Sequence, residues 1–305
     1  MAAVEIVEVG PRDGLQNESA LVSTEAKIAY IEALIAAGAR RIEATSFVHP
    51  KRVPQMADAE AVMAGVPRRD DVRYLGLVVN ERGLDRALAA GVDEVNVVVV
   101  ATETFSERNQ GMSMEAALRS FAAISGRAHA AGVPVTATIG AAFGCPFEGE
   151  VAPATVAELV RSCADAGADE IALADTIGVG VPADVERLIG EVRAVTGLPL
   201  RFHFHNTRNT GYANALAAVA GGAAALDASA GGIGGCPFAP AATGNIATED
   251  LTYALRRSGI ASGLELSGVV AAATLIEAEL GTQIPALLGR AGDFPVRSAA
   301  HSRPV

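Results

Sequence analysis

The feature that most constrains this chain is a unit that recurs along its length: a stretch with helical periodicity, a small-residue turn containing glycine, then a β-rich run. It occurs as Ala36-Ala37-Gly38-Ala39 ahead of Arg41 to Thr45, as Ala89-Ala90-Gly91-Val92 ahead of Glu94 to Val100, and as Ala166-Gly167-Ala168 ahead of Glu170 to Ala174. Related turns surround Gly132 and Gly222, and the intervals between successive glycines are 53, 41, 35 and 55 residues. Such uneven spacing fits βα units with loops of variable length rather than a rigid repeat. Each glycine is expected to supply the left-handed residue that ends a helix. Strands are predicted near residues 4–9, 41–46, 72–79, 94–100, 134–140, 170–175, 200–206 and 225–230. Eight strands alternating with helices imply a parallel sheet closed into a (β/α)8 barrel, with a doubly wound open sheet as the alternative. The polar residues that could do chemistry fall at the C-terminal ends of many strands, where a barrel gathers them around one mouth. A further helix is predicted over residues 264–279 and a frayed tail from Ser298. The chain thus reads as one domain, with residues 1–260 forming the barrel and 261–305 a helical extension and tail.

Composition narrows the function. Half of the 305 residues are hydrophobic but only 4% are aromatic and none is Trp, so the core is aliphatic. Apolar runs stop well short of the ~20 residues that cross a bilayer, and no signal-peptide pattern opens the chain; a cytoplasmic protein is expected, with no membrane partner. A net charge of -11 opposes nucleic-acid binding, so an anionic substrate would need local arginines. Cys145, Cys163 and Cys236 have no zinc-type spacing, and an odd number cannot pair fully within one chain. Lys27 and Lys51 are the only lysines among 24 basic residues.

The strand ends carry the candidate chemistry. In Arg201-Phe-His-Phe-His-Asn206 the alternation of a strand sends His203 and His205 to one face and the two phenylalanines to the other, making a metal half-site. The first strand leads into Gly10-Pro11-Arg12-Asp13-Gly14, where Asp13 offers a metal ligand and Arg12 a group for a developing oxyanion. Glu43 sits in an apolar run and is costly to bury unless paired, with Arg12 the natural partner. Asp175 ends the sixth strand, as a catalytic group or as a cap of the following turn. Four glycines precede Cys236 in Gly231-Gly232-Ile233-Gly234-Gly235, which suggests a mobile loop able to bring a thiol over a substrate. Asn245 follows and is read as opening the next helix, its amide oxygen a further ligand or its side chain a plain cap. Cys145 is read as a structural thiol and Cys163 as core, while Lys51, Arg52 and Arg108 lie in loops that could meet phosphate groups.

Taken together, Gly-Pro-Arg-Asp-Gly-Leu-Gln-Asn-Glu from Gly10, Ile-Glu-Ala-Thr-Ser-Phe-Val around Glu43, Phe-Gly-Cys-Pro-Phe-Glu-Gly from Phe143, Asp-Thr-Ile-Gly-Val-Gly from Asp175, His203-x-His205 and Gly-Gly-Cys-Pro-Phe-Ala around Cys236 resemble the 3-hydroxy-3-methylglutaryl-CoA lyases. The match runs from about residue 4 to residue 255. The resemblance implies a metal-dependent TIM barrel that cleaves an acyl-CoA to acetyl-CoA and acetoacetate, as in leucine degradation. It further implies that Asp13, His203, His205 and Asn245 bind Mg2+ or Mn2+, and that Arg12, Glu43, Asp175, His203 and Cys236 serve catalysis. A homo-oligomer, a dimer, is expected. Two departures stand out. Ser19 replaces the lysine often found after Asn-Glu, and Asn206-Thr207-Arg208-Asn209-Thr210 stands where the best-known lyases have Asp-Thr, which leaves the acyl substituent open.

The chemistry agrees. Breaking a carbon–carbon bond beside a tertiary alcohol requires removal of the hydroxyl proton and stabilisation of a thioester enolate. A lysine Schiff base is one route, but Lys27 falls on a helix and Lys51 in a loop, which leaves a metal. Cys236 is the candidate acid that protonates the enolate carbon, and Asp175 or His203 the candidate base. A condensing synthase would use the same parts in reverse, and a noncatalytic acyl-CoA-binding barrel or a metal-dependent hydrolase is the remaining alternative.

Overall fold

The computed structural model describes residues 2–235 and 244–295. Eight parallel strands close on one another in chain order: β1 (Glu5–Glu8), β2 (Arg41–Ser46), β3 (Arg73–Val78), β4 (Glu94–Val100), β5 (Val135–Gly140), β6 (Glu170–Asp175), β7 (Leu200–Phe204) and β8 (Ala225–Ala228), with β8 pairing back to β1. The closed ring excludes the doubly wound alternative. The predicted strands hold to within two residues. β1 stops at Glu8 because the chain then coils through a wide π-helical turn, Gly10–Gly14, closed by the Gly14 N–H donating to Val9 O at 3.1 Å. β8 stops at Ala228 because Gly231 takes φ 85°, which no extended strand accommodates.

Helices cover the outside, as buried parallel strands require. Several start at the side chains the sequence supplies: Ser23 accepts the Ala26 N–H, Asn80 the Gly83 N–H and Ser113 the Ala116 N–H. The five glycines expected to end helices, Gly38, Gly91, Gly132, Gly167 and Gly222, all have positive φ. The helix after the barrel, Leu266–Leu280, packs on Thr24–Ala36, with Glu265 N–H donating to Ala37 O at 2.8 Å. Among the described residues no helix is long and apolar enough to cross a membrane.

The aliphatic core fills the space between sheet and helices, whereas the barrel interior is largely a polar column. Arg41 from β2 donates to Glu94 Oε1 at 2.5 Å and Glu170 Oε2 at 2.6 Å, and Thr136 hydroxyl links the same two carboxylates. Two residues along each strand, Asn96 donates to Glu43 Oε1 at 2.8 Å and accepts from Thr138. A buried ion costs several kcal/mol unless paired, so a closed column of partners is the form in which these charges can be kept. Arg201 of β7 continues the column towards the mouth, its Nε 3.5 Å from Glu170 and 3.4 Å from Asp227 of β8.

Candidate active site

The turn after β1 places Arg12 and Asp13 over the C-terminal mouth of the barrel. Arg12 is buried and donates from Nε to Glu43 Oε2 at 2.7 Å and from Nη1 to Asp13 Oδ1 at 2.5 Å. Its pairing with Glu43 is the one expected from the cost of leaving that carboxylate alone. Among the described residues three of the five guanidinium N–H groups are engaged this way, counting the Nη2 ion-pair contact to Glu43 at 2.5 Å, which leaves one on Nη1 and one on Nη2.

His203 and His205 lie with ring centroids 5.0 Å apart, while Phe202 and Phe204 stack at 5.6 Å on the other face. One donor atom from each of Asp13, His203 and His205 falls within 4.8 Å of the others. Asn245 joins them: its amide Nδ2 is 3.0 Å from Asp13 Oδ2 and 3.0 Å from Ile233 O. It does not open a helix. The helix starts at Thr248, because Asn245 and Ala247 are held extended by bridges to His205 and Ser229.

Electrostatics separates the two imidazoles. Burial, reinforced by the neighbouring His203, pushes His205 down to about 3, so its ring is neutral, and its buried Nδ1 has no hydrogen-bond partner among the described residues. Burial also works against charge on His203, but the hydrogen bond to Asp227 and the charge of Asp13 outweigh it and raise its pKa. Burial would raise Asp13, yet Arg12, then the two histidines, hold it well below the usual carboxylate range. An ionised carboxylate and two imidazoles, one of them neutral with a nitrogen that has no hydrogen-bond partner among the described residues, are together a donor set for a divalent cation of the oxygen- and nitrogen-binding kind; Asn245 could add only its amide oxygen, since its NH2 group faces Asp13 and Ile233. The residues fit such an ion.

Asp175 is not part of this cluster. In the parallel register Ala174 pairs with His203 and Asp175 with Phe204, so Asp175 lies on the outer face of the sheet. There its two carboxylate oxygens accept the Val179 and Gly180 N–H groups at 2.9 Å, capping the turn, and burial raises its pKa. Cys236 lies outside the described residues, but the glycines leading to it do not. Gly231, Gly232 and Gly234 are buried, and Glu249 accepts the Gly231 N–H while Glu18 accepts that of Gly234. The expected mobile loop is thus tied down at its start, because backbone N–H groups buried there need acceptors. The Cys145 sulfur is buried and accepts from the Thr102 hydroxyl at 3.0 Å. Burial pushes the Cys163 thiol up to about 12. Lys51 and Arg52 are exposed, and Arg108 stacks on the Phe147 ring.

Two acidic positions escaped the sequence reading. Asp227 on β8 places its Oδ2 3.1 Å from His203 Nδ1 on the neighbouring strand. Glu8, on the outer face of β1, accepts the Gly10 and Ala230 N–H groups and the Thr248 hydroxyl. The signal for Asp227 was available: a lone acid in an otherwise apolar strand, as with Glu43; Glu8 shares its short strand with Glu5, and only its place on the outer face sets it apart.

Residues 3–276 match the HMGL-like family model. The chain belongs to the HMGL-like family. It is 42% identical over 303 residues to the (R)-citramalyl-CoA lyase of Chloroflexus aurantiacus, covering 96% of each chain. To the cytoplasmic 3-hydroxy-3-methylglutaryl-CoA lyase of Danio rerio it is 44% identical over 276 residues, 90% of this chain and 82% of the relative. A solved structure of the family, an HMG-CoA lyase from Acinetobacter baumannii in complex with coenzyme A and 3-methylmalate, superposes with a TM-score of 0.91 at 38% identity, covering 99% of this chain and 98% of that one.

Proposed function

We propose that the site uses a divalent cation, Mg2+ or Mn2+, to cleave a 3-hydroxyacyl-CoA, with 3-hydroxy-3-methylglutaryl-CoA giving acetyl-CoA and acetoacetate as the first candidate. The protein is a carbon–carbon lyase of the HMGL-like family. The observation that carries the reading is the meeting of Asp13, His203 and His205 beside an arginine that, among the described residues, has two unengaged N–H groups.

Asp13, His203, His205 and Asn245 would hold the ion. When bound, it would act as a Lewis acid that lowers the pKa of the substrate hydroxyl and orients it. Arg12 is assigned to the thioester oxygen, where its fixed fork stabilises charge as the enolate develops. Glu43 and Asp13 hold that fork in place, so Glu43 serves by positioning. His203 offers only Nε2 to the site, since Nδ1 faces Asp227, and we assign that nitrogen to ligation. Asp175 faces away, so the acceptor of the hydroxyl proton lies outside the pair named from sequence. Cys236 is kept as the proposed acid toward the enolate carbon. A Schiff-base route has no lysine to use, because Lys27 is buried and paired with Asp58 at 2.6 Å and Lys51 is exposed in its loop.

The identity to the citramalyl-CoA lyase over nearly its whole length favours a second substrate, citramalyl-CoA, on the same machinery. The Asn206–Thr210 segment, which departs from the best-known lyases, is where the two substrates would be told apart. Incubating the metal-loaded protein with both thioesters and following products by mass tests both. Release of acetyl-CoA from neither overturns the reading. A cytoplasmic homodimer is part of this proposal, and sedimentation of the purified protein tests its assembly.

A further inference from the structure

Across the strand pair β7 and β8, a side-chain hydrogen bond links His203 to an acid that the ligand set does not include. In the register of β7 and β8, His203 pairs directly with Asp227, and both side chains turn into the barrel. Asp227 is 5% exposed, and its Oδ2 lies 3.1 Å from His203 Nδ1. The other ring nitrogen, Nε2, lies 3.9 Å from Asp13 Oδ2, within the ligand cluster. Behind Asp227 stands Arg201, 1% exposed, with Nε 3.4 Å from Asp227 Oδ1 and, among the described residues, no hydrogen bond made by Nε or Nη1. A carboxylate with a buried guanidinium behind it stays ionised, and an ionised carboxylate can only accept. The proton of a neutral His203 ring must then sit on Nδ1, which leaves the Nε2 lone pair for the site.

We propose that Asp227 is a positioning residue: it fixes the tautomer and the ring plane of His203 so that Nε2 faces the metal residues, with Arg201 keeping Asp227 anionic from the far side. The arrangement rests on the metal reading above for its purpose but not for its geometry. Outer partners of this kind tune a ligand's basicity, and their loss typically costs about 10- to 100-fold in metal affinity. His205, by contrast, has no such partner on Nδ1 among the described residues, so the two ligands are not equivalent. His203 is the oriented one.

Two measurements test this. In metal-free protein labelled with 15N-histidine and held at alkaline pH, His203 is expected to show a protonated Nδ1 and a bare Nε2, its signals assigned by their loss in His203→Gln. Mn2+ titration followed by electron paramagnetic resonance is expected to show Asp227→Asn weaker than wild type by roughly 10- to 100-fold, with an unchanged circular dichroism spectrum. An amide can donate to Nδ1 and so impose the wrong tautomer, and the variant should then show protonated Nε2. A wild-type Nε2–H tautomer overturns the proposal, as does an Asp227→Asn protein that binds Mn2+ within about twofold of wild type. If Asp227→Asn does not fold, the wild-type tautomer decides by itself. Wild-type protein that takes up no Mn2+ overturns the metal reading instead, a separate failure because the tautomer is read without metal.

Discussion

The Arg12 guanidinium meets the Glu43 carboxylate through a single oxygen, Oε2, with Nε at 2.7 Å and Nη2 at 2.5 Å, while the other oxygen of Glu43 is held by Asn96. Glu43 is therefore fixed by two elements and in turn fixes the plane of the fork. A lysine at position 12 would keep the charge but could not make both contacts and still present N–H groups at the same angle. Arg12→Lys is expected to fold and to lose activity by about 100-fold or more, the size seen when an oxyanion donor is removed. The loss should fall on kcat. A rise in KM with kcat unchanged would make Arg12 a ground-state binding group.

Removal of a direct ligand should exceed the effect of removing an outer partner. His205→Ala is expected to weaken Mn2+ binding by more than about 100-fold, beyond the range of an outer-shell change. Its cost to stability should stay below about 2 kcal/mol, since the ring already carries an unsatisfied buried nitrogen whose removal recovers part of the packing loss. Metal content by mass spectrometry after dialysis, beside thermal unfolding, checks both. Unchanged metal content removes His205 from the ligand set.

Gly234 is left-handed, φ 101°, and a Cβ there would fall 2.7 Å from Asn245 Nδ2 and 2.8 Å from both Asp13 O and Gly14 Cα. Two of those neighbours are backbone, so they cannot swing aside. Gly234→Ala is expected to cost roughly 1–3 kcal/mol and to weaken Mn2+ binding by displacing Asp13 and Asn245. Gly132→Ala is the control, because it has the same sign of φ but nothing within 4 Å. It should lose stability and keep its metal affinity; equal effects of the two variants on metal binding would show that Gly234 does not shape the site.

Much of this site could be read from the chain because strand ends in a closed barrel converge. Arg12, Asp13, His203 and His205 meet as their positions at strand ends required, and the cost of burying Glu43 named its partner. Asp175 shows where that logic stops. Being at a strand end does not fix the face, and counting inward from Glu170 puts residues 172 and 174 inside and 175 outside. Asn245 was legible as a neighbour of the site but not as an extended residue, because its conformation comes from a bridge to His205, forty residues away in sequence. Asp227 was visible as a lone acid in β8; its meaning needed the register with β7.

Burial pushes Glu8 from its ordinary 4.5 up to about 7 despite the hydroxyl of Thr248 and two backbone N–H groups, and Glu249 from 4.5 up to about 8. Both hold the backbone that leads from β8 into the Cys236 segment, Glu8 through Ala230 N–H and Glu249 through Gly231 N–H. A carboxyl whose folded pKa lies above its unfolded value binds more protons in the fold than in the open chain. Stability is therefore greatest below about 4.5 with respect to these groups, falls as pH rises from about 4.5 to about 8, and levels off above. For Glu8 the loss is on the order of 3 kcal/mol. Glu8→Gln mimics the protonated form, keeping an acceptor for the two N–H groups and offering an amide to the Thr248 hydroxyl. Urea unfolding at a series of pH values should find the variant close to wild type near pH 5 and more stable than wild type near pH 9. Parallel curves for the two proteins would mean that Glu8 is ionised throughout, and that its three donors outweigh burial.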